Sequence, residues 1–150
     1  MARLKSLDVD TLWKLERVGS VSLSPDGSAG VCAVTAYDME ENKGRTSLWL
    51  LPTDRRAPRQ LTRCGEKDGH PAWSPKGDRI AFLAKREQEG GKDEETQLYV
   101  IDAAGGEAER KTHFAPGVVA FKWMPDGQRI VFVSWVWPKV RGVRAQEREA

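Results

Sequence analysis

The chain has 150 residues, 31% of them charged, and a formal net charge of +2. This is the length of one ordinary domain, without the one-sided excess of Lys and Arg that marks a dedicated nucleic-acid binder. No run approaches the ~20 consecutive apolar residues of a membrane-spanning helix. Two cysteines, Cys32 and Cys64, are too few for a disulfide scaffold and read as free thiols. The start, Met1-Ala2-Arg3-Leu4-Lys5-Ser6-Leu7-Asp8, lacks the apolar core of a secretory signal. Together these features point to a cytoplasmic protein with no nucleic-acid and no membrane partner.

In chain order, residues 1–19 form a lead-in. Asp8 to Arg17 carries Leu12, Trp13 and Leu15 behind Ser6 or Asp8 as a cap, and this predicts a short helix. From residue 20 the chain repeats. Ser24-Pro25-Asp26-Gly27 returns as Ser74-Pro75-Lys76-Gly77 and as Met124-Pro125-Asp126-Gly127, 50 residues apart each time. Leu23, Trp73 and Trp123 precede these turns. Arg79-Ile80-Ala81-Phe82 matches Arg129-Ile130-Val131-Phe132, Leu48-Trp49-Leu50-Leu51 matches Leu98-Tyr99-Val100-Ile101, and Thr62 matches Thr112.

Each unit reads as four strands, most clearly in the second. His70 to Trp73 is a short first strand. Pro75-Lys76-Gly77 is a tight turn, with Pro setting φ and Gly taking the left-handed position. Arg79 to Ala84 is a nearly continuous apolar second strand with both faces buried. Its counterparts are Val31 to Val34 and Ile130 to Val133. Gln97 to Asp102 is the third strand, and after Gly105-Gly106 the polar stretch Glu109 to Thr112 is an outer fourth. A four-stranded antiparallel unit of ~40–50 residues with two-sided burial describes a β-propeller blade. Clean in–out alternation would instead indicate a sandwich, and residues 20–135 show no helix of the kind a parallel α/β fold requires.

The expected fold is therefore all-β: an incomplete propeller with blades over 20–69 and 70–119 and a partial blade over 120–138. A charged tail, 139–150, reads as a helix or as disordered. The loops Asp38 to Thr46 and Arg86 to Thr96 should share one face with the connections from fourth to first strands, opposite the Pro-x-Gly turns. Closed propellers have roughly four to eight blades, so the chain is expected to leave apolar blade faces uncovered, as part of a longer polypeptide or as a unit that pairs with copies of itself.

Chemistry is sparse. Ser24 and Ser74 sit in turns with no histidine at the repeat spacing, and no Gly-x-Ser-x-Gly nucleophile elbow is present. His70 and His113 lie in different blades without ligand spacing, although His70 starts an inner strand and is a candidate for lining the channel. Glu40-Glu41 and Glu94-Glu95 are adjacent carboxylates in loops and read as solvated. Asp26 and Asp126 lack further oxygen ligands for calcium. Trp73, Trp123 and Leu23 read as core. Trp135-Val136-Trp137-Pro138 extends the third unit's apolar second strand and either packs under a following element or borders a cavity or interface. No catalytic, metal or cofactor residue is assigned, and substrate-binding residues stay unassigned.

The repeated Ser-Pro-Asp-Gly turn, with Trp before it and Ile-x-Phe after it, resembles the blades of TolB-like propellers. It resembles more closely the N-terminal propeller of prolyl oligopeptidase-type serine peptidases, in the acylaminoacyl-peptidase and dipeptidyl-peptidase branch. The short helix before Ser24-Pro25-Asp26-Gly27, and Phe121 to Gly127 followed by Val133 to Pro138, carry that likeness. The resemblance implies a propeller that gates and filters peptide substrates for a C-terminal α/β-hydrolase domain bearing the catalytic triad, a domain outside this chain. A TolB-like protein-interaction propeller and a blade module that completes a ring by self-association are the alternatives.

Overall fold

The computed structural model describes residues 8–63, 65, 67–88 and 91–142. Helix α1 (Val9–Trp13) begins at Asp8, whose extended backbone and Oδ1, accepting from the Thr11 amide at 2.7 Å, form the N-cap. Ser6, the other candidate cap, lies outside the described residues. The helix ends earlier than the sequence pattern predicts, because Arg17 is already paired with Thr35 as the first residue of a strand. Trp13 holds the helix to the sheet, edge-on to Tyr37 at 5.7 Å, with the Arg17 guanidinium 4.7 Å from the Tyr37 ring centre.

Among the described residues, two four-stranded antiparallel sheets and two two-stranded ones follow. The first runs in the order β1 (Arg17–Leu23), β2 (Ala29–Asp38), β3 (Lys43–Pro52), β4 (Arg59–Gln60). In the second, β5 (Gly69–Trp73), β6 (Arg79–Ala84), β9 (Gln97–Asp102) and β10 (Glu109–Arg110) lie side by side. Between β6 and β9 the chain makes a small hairpin, β7 (Glu87–Gln88) with β8 (Gly91–Lys92). The remaining sheet is β11 (Ala120–Trp123) with β12 (Ile130–Val133). These are two propeller blades and a two-stranded third; β1 begins at Arg17, inside the stretch read as the lead-in.

The repeat is physical as well as textual. In all three turns the first residue's amide bonds the residue five positions on, at 2.8 Å: Ser24 to Ala29, Ser74 to Arg79 and Met124 to Arg129. Gly27, Gly77 and Gly127 have φ of 71°, 73° and 63°, the left-handed region that favours glycine. Thr62 Oγ1 accepts from the Leu48 amide and Thr112 Oγ1 from the Leu98 amide, both at 2.9 Å, so the matched threonines fasten the outer strand in the same way.

Several details differ from the expectations. The charged connection 38–46 is mostly strand, with β2 and β3 paired from Ala29–Pro52 to Asp38–Lys43, because Asp38 accepts the Glu40 and Glu41 amides and closes a tight reversal. The fourth strands are only two residues long. Leu23 is 68% exposed while Trp123 is buried, because the described residues place no sheet against the Leu23 face. The Trp135–Pro138 segment does not prolong β12, which ends at Val133; Ser134 Oγ instead donates to the Gly117 carbonyl at 2.5 Å and turns the chain away.

Burial follows the alternation of β6. Ile80, Phe82 and Ala84 face the first blade, where Val31, Ala33 and Leu48 meet them. Ala81 and Leu83 face the third, with Leu98, Val100, Val118 and Trp123. One strand thus supplies two cores, which accounts for its continuous apolar run. Arginines latch the blades at the turn side: Arg59 Nη2 donates to the Ala103 carbonyl and Arg79 Nη2 to the Gly127 carbonyl, and Arg79 stacks 5.3 Å from the Trp123 ring centre. The outward faces stay open, exposing Val18, Val21 and Leu23 on β1 and Val131 and Val133 on β12.

Phe82 is fully buried against Tyr99, with ring centres 5.8 Å apart. Phe82→Ala is expected to lower unfolding free energy by ~3–5 kcal/mol. Val131→Ala, on the open face, should stay within about 0.5 kcal/mol of wild type. Urea titration followed by tryptophan fluorescence checks both.

Candidate functional site

Two kinds of loop converge on the side of the blades opposite the Pro-x-Gly turns. The connection into β5 runs beside the start of β3: Thr46 and Lys67 form a parallel bridge, and the Asp68 amide donates to the Thr46 carbonyl at 3.1 Å. One blade on, the Val118 amide donates to the Thr96 carbonyl at 2.7 Å. Between these strands opens a cavity of about 700 Å³, with walls from all three blades: Tyr37 and Thr46, Lys67 to His70, Leu83, Glu95 and Thr96, Pro116 to Val119, and Trp135. The shared loop face anticipated from up-and-down connectivity is the face that holds it.

One lining residue, Asp68, belongs to a buried ion pair. Asp68 is wholly buried, and Arg86 grips it in two places, Nε to Oδ1 at 3.1 Å and Nη2 to Oδ2 at 2.6 Å. The guanidinium lies 4.9 Å and 5.4 Å from the ring centres of Phe82 and Tyr99. Such a fork both neutralises the carboxylate and fixes its plane. Gly65 passes so close to Asp68 that a Cβ there would lie 2.0 Å from Oδ1, so only glycine fits.

A second carboxylate extends the network. Asp93 accepts from the Arg86 amide at 3.1 Å, the Tyr99 hydroxyl at 2.5 Å and Arg110 Nη1 at 2.5 Å. Burial alone would raise its pKa; the bonds from Tyr99, the Arg86 amide and Arg110 outweigh burial and hold it below the ordinary value of 3.8. Tyr99 is pushed well up, first by burial and then by Asp93. Arg110 Nη2 also reaches His113 Nδ1 at 2.7 Å; a guanidinium only donates, so this contact takes the neutral imidazole with its proton on Nε2.

The residues singled out in the sequence fall into place individually. Ser24 Oγ donates to Asp26 Oδ1 at 2.6 Å and accepts the Ala29 amide, a turn role. Ser74 does the same with Asp78, which stands in for the missing aspartate at Lys76. Asp26 is held down to about 2, chiefly by Ser24 and then by Ser28. Asp126 is likewise held to about 2, by the Gln128 amide first and then Arg129. Glu41 pairs with Lys43 and Arg45, and Glu95 with Lys85, all at the surface. Trp73 is half-buried and Trp123 buried, both in the cores. Cys32 is buried, and that desolvation raises its thiol pKa; Cys64 lies outside the described residues. His70 lines the cavity, exposed, in a bulge of β5 at φ 52°; His113 lies apart, on Arg110. Sequence reasoning missed Asp68, Arg86, Asp93 and Arg110. The usable signal was a departure from the repeat: 50 residues before Arg86 and Asp93 stand Ala36 and Lys43, and 50 after Asp68 stands Val118.

Removing one partner of the buried pair leaves an uncompensated charge, so Arg86→Met is expected to cost ~3–5 kcal/mol in urea titration. Asp93, with its folded pKa depressed, adds stability above its unfolded pKa, and this is lost as pH falls through the folded value. Wild type should therefore weaken below about pH 4, and Asp93→Asn should show a smaller acid loss, the remainder shared by the other carboxyls held below their ordinary values, Asp8, Asp26, Asp54, Asp78, Glu109 and Asp126. Chemical denaturation repeated across pH checks the difference.

Comparison with known proteins places these blades. No protein-family model matches the chain. It is 27% identical over 127 residues to the uncharacterized peptidase YuxL of Bacillus subtilis, and 34% identical over 128 residues to dipeptidyl-peptidase 5 of Porphyromonas gingivalis. Each match takes in 85% of this chain, which spans only 19% and 18% of the lengths of those relatives. In three dimensions 92% of the chain overlies 22% of acylaminoacyl peptidase from Pyrococcus horikoshii (TM-score 0.66, 16% identity). The β-propeller domain of the trilobed protease from Pyrococcus furiosus overlies 79% of it (TM-score 0.62, 17% identity, 34% of that chain). A TolB from Agrobacterium tumefaciens overlies 81% (TM-score 0.61, 22% identity, 39% of that chain). The chain is thus a set of β-propeller blades, related in sequence to one segment of bacterial peptidases and in fold to the propellers of acylaminoacyl peptidase and TolB.

Proposed function

We propose that these blades serve a serine peptidase of the prolyl oligopeptidase family as its gating and substrate-filtering lid, alongside a C-terminal α/β-hydrolase domain that supplies the nucleophile. The relationship to two peptidases over 85% of the chain carries this reading. Two physical features support it. The two serines weighed as nucleophiles in the sequence, Ser24 and Ser74, are committed to their turns. The loops of three blades also converge on one face around a cavity, the arrangement a filter needs. In this reading short peptides pass the blades and folded proteins do not, and the whole works in the cytoplasm.

A second reading rests on the open faces. Exposed Val18, Val21 and Leu23 at one end, and Val131 and Val133 at the other, would be covered if copies completed a ring. Light scattering separates the two: a discrete dimer or trimer supports ring completion, and a monomer or polydisperse aggregate opposes it.

The 150-residue chain is expected to show no hydrolysis of acyl-peptide or aminoacyl ester substrates, and Ser24→Ala and Ser74→Ala should leave that result unchanged. Hydrolysis that disappears with either variant overturns the assignment of chemistry to another domain. For the gating role, the polypeptide encoded by the whole reading frame should cleave short peptides and spare a folded protein containing the same sequence.

A further inference from the structure

Resting on the peptidase reading, we propose that the three-blade cavity binds the C-terminal carboxylate of a short peptide, with an apolar last side chain lying against Val119 and Trp135.

The charges select the ligand. Of the charged side chains lining the cavity, Asp68 is neutralised by Arg86 and Glu95 is paired with Lys85 at 3.3 Å. Lys67 is exposed and has no carboxylate partner among the described residues. A second hollow of about 300 Å³ shares Lys67 and Gly44 with the cavity; Lys43 and Arg45 also line it but are paired with Glu41, so Lys67 is the lining cation left without an acidic partner among the described residues. The junction of the two hollows therefore favours an anion. His70 stands beside Lys67, turned out of the β5 ladder by the bulge and held at φ 52°, where a non-glycine residue is strained. The rest of the lining includes apolar side chains: Leu83 and Val118 are buried, Val119 is half-exposed, and Trp135 presents 75% of its surface to solvent. A lysine, an imidazole and an exposed indole lining one cavity of about 700 Å³ fit a carboxylate joined to an apolar side chain. Gripping the far end of a peptide would give a peptidase a measure of substrate length.

The test is calorimetric titration of the 150-residue chain with acetyl-Ala-Ala-Ala-Phe as the free acid, as its C-terminal amide, and with inorganic phosphate. The free acid is expected to bind, and the amide to bind at least about tenfold more weakly. Lys67→Ala and Trp135→Ala, both at exposed positions, should each weaken the acid by a similar factor. His70→Gly should weaken it while leaving the thermal midpoint unlowered, since glycine accepts the bulge conformation without strain. Equal binding of acid and amide, no binding of either, or phosphate competing as well as the peptide would overturn the proposal. Binding requires no hydrolysis, so the two readings fail separately. Acid-selective binding in a chain whose full polypeptide cleaves no peptide sinks the peptidase reading alone. Cleavage without acid-selective binding sinks the site alone.

Discussion

Two-sided burial of the sheets is the constraint on which everything else in this molecule rests. A blade has no inside of its own; it becomes stable by pressing each face on a neighbour. In β6 the consequence is visible residue by residue, with Ile80 and Phe82 committed to one neighbour and Ala81 and Leu83 to the other. The same requirement sets the spacing of the chain, because each blade must return its next first strand to the inner position. It also brings the loops of successive blades to a common face, and that convergence makes the cavity. Fold and candidate site are consequences of one stacking rule.

The strands that obey this rule were legible in the sequence. β6, β9 and β12 run between the residues that the repeat indicates, and the threonine pair at 62 and 112 performs one task twice. Legibility failed where tertiary pairing overrides composition. The stretch from Asp38 to Thr46 is dense in charge and reads as loop, yet backbone pairing continues nearly to its tip. Leu23 reads as core from its position, but burial depends on a neighbouring sheet and not on the residue itself.

The site was less legible than the fold, for a related reason. Asp93 sits in a segment crowded with Glu, Lys and Gly, where a carboxylate is normally solvated. Its burial comes from three donors remote in sequence or contributed by backbone: Tyr99, Arg110 and the Arg86 amide. No local pattern encodes that meeting. Asp68 and Arg86 are 18 positions apart and meet only because β6 ends beside the connection into β5. His70 was visible as a channel candidate, but its left-handed backbone was not, since nothing about histidine before proline announces it.

The serine turns bear on a problem that the stacked sheets create. A strand that alternates apolar with polar residues punishes a slip of one position, because its greasy side would turn outward. β6 offers no such penalty: shifted by one, Ala81 and Leu83 would merely exchange neighbours with Ile80 and Phe82, and both directions remain oily. Alignment must then be enforced by something that does not repeat every residue. The hydroxyl of Ser74, holding the Arg79 amide and Asp78 together, is such an index mark, and Ser24 with Asp26 is its twin in the preceding sheet. That the carboxylate sits two residues after the serine in one case and four in the other, with the grip unchanged, indicates that the clamp itself is retained and its spelling is free.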